Sequence, residues 1–212
     1  MSAPDALLLL STHCPHCPAV FAALSELLKA GTIGRLEAVN LEARPEVAQV
    51  LGVRSVPWVR IGRIELAGAR SKAELAEWAG KADSEAGVAD WFHVLLKEGQ
   101  LQRVQDAIEQ EPALLAAVLP ILGNVDASLN VRLGAGVLFE HFAGSDALAA
   151  LLPRLGELAQ HHDARVRADA GHTLGLSRNA AARHWLEALR DDPDADVREI
   201  AAEALETLPG AP

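Results

Sequence analysis

One pattern of thirteen residues recurs three times in the second half of the chain. The copies begin at Asn130, Arg165 and Asp196, 35 and 31 residues apart, and they superimpose without gaps. Each contains Val-Arg, an alanine four positions after the valine, and a large apolar residue four positions after that alanine. A repeat of this length is typical of a helical solenoid, in which each unit buries its apolar face against its neighbours. The second half is therefore predicted to be helical throughout.

The segments around these copies complete the predicted solenoid. Residues 146–160 and 179–190 lie between the copies and predict the second helix of each pair. Residues 83–125 have a helical pattern but match the repeat poorly, so we expect them to cap the array and link it to the preceding region. The predicted division of the chain is a first domain at 1–82 and a solenoid at 83–212, with clear repeats from residue 126.

The first domain has a different periodicity, because short apolar runs alternate with helical patterns. Gly31 and Gly52 end its first two helices. The predicted order is βαβαββα, with a parallel first pair of strands and an antiparallel hairpin near the end. The predicted elements are strand 6–10, helix 18–31, strand 35–41, helix 44–52, strands 57–61 and 63–67, and helix 71–80.

Both cysteines of the chain lie in one motif, Cys14-Pro-His-Cys17, between the first predicted strand and the first predicted helix. Together with His13 and His16 they offer four possible metal ligands. These residues cannot converge tetrahedrally from one turn, so no metal site is expected within a single chain, although two chains could share a metal ion. A structural disulfide in so small a ring would remove little chain entropy.

A redox dithiol is the interpretation that uses every part of this motif. Unsatisfied backbone N–H groups and the helix dipole stabilise a thiolate at Cys14, which lowers the pKa of its thiol. His16 adds positive charge near the same sulfur. Cys17, one turn further on, is expected to be shielded and close enough to attack a mixed disulfide on Cys14.

A second motif, Ser-Val-Pro at 55–57, begins the third predicted strand. A cis peptide bond before Pro57 would bring Val56 beside the dithiol. With Cys-x-x-Cys after the first strand and Val-Pro before the third, residues 5–80 resemble the thioredoxin-like superfamily in a minimal form.

The resemblance implies a role for each of these residues. Cys14 becomes the nucleophile and Cys17 the resolving thiol, while Val56 and Pro57 form the backbone edge against which a substrate polypeptide pairs. We expect His13 and Trp58 to contact substrate beside that edge, with core packing as the open alternative for Trp58.

The repeats resemble HEAT repeats of the short bacterial type, Asp-x-x-Val-Arg-x-x-x-Ala-x-x-x-Leu. Asp163 and Asp194 occupy the Asp position, and Ser128 replaces it in the first copy. The resemblance implies that the repeat arginines pair with acidic groups of adjacent repeats. These arginines are Arg132, Arg167 and Arg198.

Together these motifs predict an α/β thioredoxin-like domain followed by an all-α HEAT-like solenoid. The expected function is a thiol–disulfide oxidoreductase that acts on a protein partner recruited by the solenoid. A redox-sensing adaptor without turnover is one open alternative. Another is a glutaredoxin-like reductase with glutathione as co-substrate; no other cofactor is expected beyond the cysteine pair.

Charge and the N-terminal sequence restrict the partner and the compartment. Residues 1–82 contain nine Lys/Arg and eight Asp/Glu, whereas residues 83–212 contain ten and twenty-one. Such an acidic second half repels nucleic acid and favours a basic protein partner. The apolar run at 6–10 is too short for a signal sequence or a membrane span. We therefore expect a cytoplasmic protein with no membrane partner, whose cysteine pair is mostly reduced.

Overall fold

A computed structural model describes residues 3–209 of the chain. Residues 1–2 and 210–212, which the predicted domains include, lie outside this part. The chain forms two compact units that divide between Trp91 and Phe92. The predicted domain boundary after residue 82 stays a prediction.

The first unit has the predicted order βαβαββα and continues into a further helix. Its strands are β1 (Asp5–Leu10), β2 (Arg35–Asn40), β3 (Trp58–Ile61) and β4 (Ile64–Ala67). Its helices are α1 (Cys17–Lys29), α2 (Pro45–Val50) and α3 (Lys72–Lys81), followed by α4 (Glu85–Lys97), which contains the division between the units.

The four strands form one sheet in the order β2-β1-β3-β4. β1 pairs parallel with β2 and antiparallel with β3, and β3 pairs antiparallel with β4. β1 is a central strand, which explains its continuous apolar run. Leu8, Val59 and Leu66 are direct cross-strand neighbours and are all buried, so they form one layer of the core.

Local sequence signals set the ends of the helices in this unit. Ser71 and Glu74 form a complete capping box at the start of α3. α1 ends in a Schellman motif, in which the N–H groups of Gly31 and Thr32 donate to the carbonyls of Leu28 and Leu27. Gly31 has a φ of 73°, which a glycine adopts without a steric penalty.

The second unit is helical, as predicted. After α4 come α5 (Leu101–Gln110), a 3₁₀ segment (Pro112–Val118), α6 (Leu119–Leu122), α7 (Leu129–His141), α8 (Asp146–Ala149) and α9 (Leu152–Leu158). A second 3₁₀ segment (Ala180–Ala182) lies between α10 (Ala164–Leu176) and α11 (Arg183–Leu189), and α12 (Ala195–Thr207) is the last helix. None of the helices between residues 3 and 209 has the length and hydropathy of a membrane-spanning segment.

The three repeat copies form α7, α10 and α12, and their aligned valines and alanines are buried. Asp163 and Asp194 cap α10 and α12 by accepting hydrogen bonds from backbone N–H groups two residues ahead. Ser128 makes no such bond before α7. The first copy therefore lacks the side-chain cap that the other two share.

Two of the three repeat arginines pair with an acidic residue of the next repeat. Arg132 Nη2 lies 2.7 Å from an oxygen of Asp169, and Arg167 donates from Nε and Nη2 to Asp192 at 2.7 and 2.8 Å. The prediction is wrong for Arg198, which donates instead to the carbonyls of Asp192 and Pro193. These carbonyls belong to the turn just before α12, so Arg198 links its own helix to the turn that precedes it.

The predicted second helices of each pair are interrupted. Residues 146–160 form α8 and α9, because Pro153 lies in the first turn of α9 and has no N–H to donate to the carbonyl of Ala149. Residues 179–190 begin as a 3₁₀ turn, in which the Asn179 side chain accepts a hydrogen bond from the N–H of Ala181.

Candidate active site at the start of helix α1

The cysteine motif occupies the loop that joins β1 to α1. The N–H of Cys14 donates to the carbonyl of Ser11 at 3.3 Å, which tightens this loop into a turn. α1 begins at Cys17, with Pro18 in its first turn, where a missing N–H costs no hydrogen bond. The loop therefore delivers Cys14 just ahead of the helix and Cys17 as its first residue.

The two sulfurs form a disulfide between Cα atoms 5.5 Å apart. Cys14 is partly exposed, whereas Cys17 is 3% exposed and packs on the buried side of α1. The N–H of Cys17 donates to the Sγ of Cys14 at 3.1 Å. A helix N-terminal N–H directed at this sulfur would stabilise a thiolate there after reduction.

His13 and His16 are both exposed and flank Cys14 in the chain. His16 is the residue immediately before α1, and its side chain does not cap the helix. Both rings are therefore available beside the disulfide, where a protonated ring would favour a thiolate on Cys14.

The Val56–Pro57 peptide bond is cis. The carbonyl of Pro57 accepts a hydrogen bond from the N–H of Gly68 at 2.9 Å. Val56, one residue earlier, is partly exposed, and within residues 3–209 its N–H and C=O bond to no other backbone group. The chain thus has a free backbone donor and acceptor directly before the sheet begins.

Trp58 does not contribute to an exposed substrate site. Its side chain is 1% exposed, and the residue pairs with Leu9 of the central strand. The expectation that it contacts substrate is therefore wrong, because the register of β3 places this ring in the core. The other expected site residues lie in two segments: His13, Cys14, His16 and Cys17 end the loop after β1 and begin α1, and Val56 and Pro57 directly precede β3.

Sequence reasoning missed a carboxylate on the turn after β2. Glu42 Oε1 accepts a hydrogen bond from the N–H of Thr12 at 3.0 Å. Asn40 strengthens this link, since its Nδ2 donates to Thr12 Oγ1 at 3.2 Å and its Oδ1 accepts from the N–H of Glu42 at 2.9 Å. The signal was available, because carboxyl ends of neighbouring parallel strands meet at one edge of a sheet.

This link places a negative charge beside the cysteine loop. Hydrogen bonding from the side chain of Thr12 is the main cause that lowers the pKa of the Glu42 carboxyl, with a smaller effect from the charge of His13. Glu42 is therefore ionised at neutral pH, where it anchors Thr12 and places a negative charge near His13.

We expect Glu42 and His16 to act in opposite directions on Cys14. In a reduced Cys17→Ser chain, Glu42→Gln should lower the pKa of the Cys14 thiol by about 0.5, and His16→Gln should raise it by a similar amount, as expected for single exposed charges several ångströms away. Gln keeps an oxygen that can accept from Thr12, so the first variant tests charge alone. The pH dependence of the alkylation rate by iodoacetamide measures both changes.

Glu46→Gln is the matched control, because Glu46 is also exposed but lies in α2 and pairs with Arg44. Its alkylation profile should match that of the parent. If Glu42→Gln and His16→Gln also leave the profile unchanged, neither charge acts on Cys14.

No group of three or more His, Cys, Asp or Glu side chains within residues 3–209 is arranged to hold a metal ion. Cys14 and Cys17 are bonded to each other, and the Glu42 carboxylate accepts a hydrogen bond from the N–H of Thr12. The close Cys14–Cys17 pair indicates redox activity at this loop.

Comparison with known families agrees with both halves of this description. Residues 6–80 match a family model for the thioredoxin domain, and residues 112–206 match one for HEAT repeats. The second match includes residues 112–125, which the sequence pattern alone assigned to the cap. Among curated protein sequences, none matches this chain. The chain thus combines a thioredoxin-like domain, with a close Cys14–Cys17 pair that indicates redox activity, and a HEAT-repeat region of the kind that generally mediates protein–protein interaction.

Proposed function

We propose that this chain is a thiol–disulfide oxidoreductase that acts on a protein partner recruited by its HEAT repeats. One observation supports this function most directly. The N–H of Cys17 donates to the Sγ of Cys14, the more exposed of the two bonded sulfurs, at the first residue of α1. A purely structural disulfide needs no exposed sulfur and no hydrogen-bond donor directed at it, whereas a nucleophilic thiolate needs both.

The reaction begins with the reduced pair. The Cys14 thiolate attacks one sulfur of a substrate disulfide, forms a mixed disulfide and releases the other substrate sulfur, which takes a proton from water. Cys17 then loses its proton to water, and its thiolate attacks the Cys14 sulfur. The second substrate sulfur leaves as a thiolate and takes a proton from water, so two electrons have passed to the substrate while Cys14 and Cys17 become a disulfide. A dithiol reductant restores the pair, and the same steps in reverse oxidise a substrate dithiol.

Val56 and Pro57 hold the substrate in this proposal. Val56 has a free backbone N–H and C=O within the described part of the chain. An extended substrate segment can pair with these groups as an added strand, which brings its sulfur to the cysteine loop. His13 and His16 would contact the same segment, since both are exposed beside Cys14.

The HEAT repeats select the partner in this proposal. A thioredoxin-like domain needs no solenoid to exchange disulfides, and an extended array of helices offers a large surface for binding protein. The acidic composition of residues 83–212 favours a partner with a basic surface.

A trapping experiment tests this function. Full-length Cys17→Ser cannot resolve a mixed disulfide, so partners should accumulate on Cys14 when the tagged chain is expressed in its host. Non-reducing electrophoresis should show discrete adducts that dithiothreitol releases. A chain with both cysteines replaced by serine is the control and should carry none.

The outcomes separate the proposal from its main alternatives. Distinct protein adducts support an oxidoreductase that acts on proteins. Adducts with glutathione alone would indicate a glutaredoxin-like reaction instead. If nothing is trapped and oxidation changes only the binding of another protein, the cysteine pair is a sensor without turnover.

A further inference from the structure

Three large apolar side chains are exposed along one side of α7. Leu129, Leu133 and Val137 are 68, 60 and 45% exposed. Residues four apart share one side of a helix, so these three form a continuous surface, here called the apolar stripe. Single exposed apolar residues are ordinary, but six large ones are exposed among residues 3–209 and half of them lie here. This clustering indicates a contact surface.

The corresponding side of α12 is acidic. The repeat alignment places Glu199 and Glu203 at the positions of Leu133 and Val137. Four exposed carboxylates at helical spacing form the acidic stripe, namely Asp196, Glu199, Glu203 and Glu206. No ion pair engages any of them within residues 3–209. The two stripes therefore present different chemistry on equivalent faces of two repeats.

α10 lies between the two stripes and packs against both α7 and α12. Its equivalent positions carry Ala164, Ala168 and His172. His172 Nε2 lies 3.9 Å from an oxygen of Glu140 on α7, so the exposed faces of these two helices adjoin. The alanines leave a flat path across α10 from the apolar stripe to the acidic stripe.

The cations on these three helices are already engaged. Arg132 pairs with Asp169, Arg165 with Asp163, and Arg167 with Asp192. Arg198 donates to backbone carbonyls in the turn before α12. None of them neutralises the acidic stripe, which leaves its charge available to a partner.

We propose that these two stripes form one docking surface for an extended segment of a partner protein, with apolar side chains on α7 and Lys or Arg side chains on α12. The inference rests on the proposed recruitment of a protein by the repeats and names the chemistry of that partner. Packed helices lie about 8–10 Å apart, so the stripes are about 20 Å apart across α10. An extended chain covers that distance in about six residues, which sets the separation between apolar and basic residues in the segment.

A displayed library of random sixteen-residue peptides is the probe. It is selected against the full chain with Cys14→Ser and Cys17→Ser, so that no disulfide can form and binding is measured apart from redox chemistry. Enriched peptides should combine apolar residues with Lys or Arg about six positions away. Fluorescence anisotropy then measures the affinity of the labelled peptides.

Leu133→Ser and the pair Glu199→Gln/Glu203→Gln should each weaken peptide binding about five-fold or more, the loss expected when one well-placed contact is removed. The salt dependence of binding should fall with the glutamate substitutions. Val50→Ser and Glu187→Gln are matched controls, because both residues are exposed and neither belongs to a stripe. These two variants should bind like the parent.

Several results would overturn the docking surface. The selected peptides could be acidic or lack basic residues, or the stripe substitutions could leave peptide affinity unchanged. Sedimentation could instead show self-association that Leu133→Ser abolishes, which would assign the apolar stripe to a second copy of this chain. Because the probe chain has no cysteine, each of these results leaves the trapping experiment and the proposed redox function untouched.

Discussion

We expect Cys14→Ser to abolish disulfide exchange by this chain, with a loss of about 10³-fold or more in the second-order rate on any disulfide substrate. A serine hydroxyl is far less acidic than a thiol, so the N–H of Cys17 that lies 3.1 Å from the Cys14 sulfur has no anion to stabilise at neutral pH. Reduction of a small aromatic disulfide, followed by absorbance, measures the loss in the full-length chain.

Cys17→Ser should behave differently, which makes it the informative comparison. Its Cys14 thiolate still attacks, so the first turnover should keep a rate within a few-fold of the parent while multiple turnovers stall at the mixed disulfide. Cys17 is 3% exposed, and its removal leaves no other thiol near enough to resolve the adduct. If the two variants lose the first turnover equally, the nucleophile has been assigned to the wrong cysteine.

The fold of the first unit was predictable because each of its elements carries a local signal. The Ser71–Glu74 capping box marks the start of α3, the left-handed Gly31 marks the end of α1, and the apolar run of β1 fits its central place in the sheet. The interruption of the solenoid helix at 150–151 was also encoded, since Pro153 removes a backbone donor, but the strong Ala/Leu pattern concealed it.

The candidate site was predictable only where its reactive residues lie close together in the sequence. Cys14 and Cys17 form one motif, but Glu42 reaches Thr12 across thirty residues because β1 and β2 pair in parallel. Trp58 shows that even a residue beside a recognised motif can be placed wrongly from sequence. A tryptophan after Pro57 could lie at the rim of the active site or in the core. The structure decides for the core, because Trp58 in β3 pairs with Leu9 of β1 and is buried. A cytoplasmic location remains a prediction.

A bidentate ion pair between Arg167 and Asp192 joins two neighbouring repeats. Their side chains are 13 and 6% exposed, and two hydrogen bonds of 2.7 and 2.8 Å join them. The same carboxylate accepts from the N–H of Asp194 at 2.9 Å, and Arg167 Nη1 also donates to the carbonyl of His161. This cluster ties α10 to the turn that begins the next repeat.

Asp192→Asn should therefore lower the free energy of unfolding by about 3 kcal/mol at pH 7, because it leaves a largely buried guanidinium without its counter-charge. Asp191→Asn is the matched control: the neighbouring aspartate is exposed, and its replacement should change stability by less than about 0.5 kcal/mol. Urea unfolding followed by far-ultraviolet circular dichroism compares the variants with the parent.

The effect of Asp192→Asn should also depend on pH, and the direction follows from the pair itself. Hydrogen bonding from Arg167 is the main cause that lowers the pKa of the Asp192 carboxyl in the folded chain. In the unfolded chain this group titrates near its ordinary value of about 3.9. The charged carboxylate thus stabilises the fold fully above that value, and the stabilisation is lost as the pH falls below it through the depressed folded pKa.

The difference between the parent and Asp192→Asn should consequently be constant from about pH 5 to 8 and shrink steadily below about pH 4. Asp191→Asn should show no comparable trend, since no guanidinium binds that side chain within residues 3–209. A difference that persists unchanged at about pH 2.5 would mean that the Asp192→Asn variant is destabilised through altered packing and not through lost charge. A negligible difference at pH 7 would show that water replaces the pair, and that apolar burial alone holds the last two repeats together.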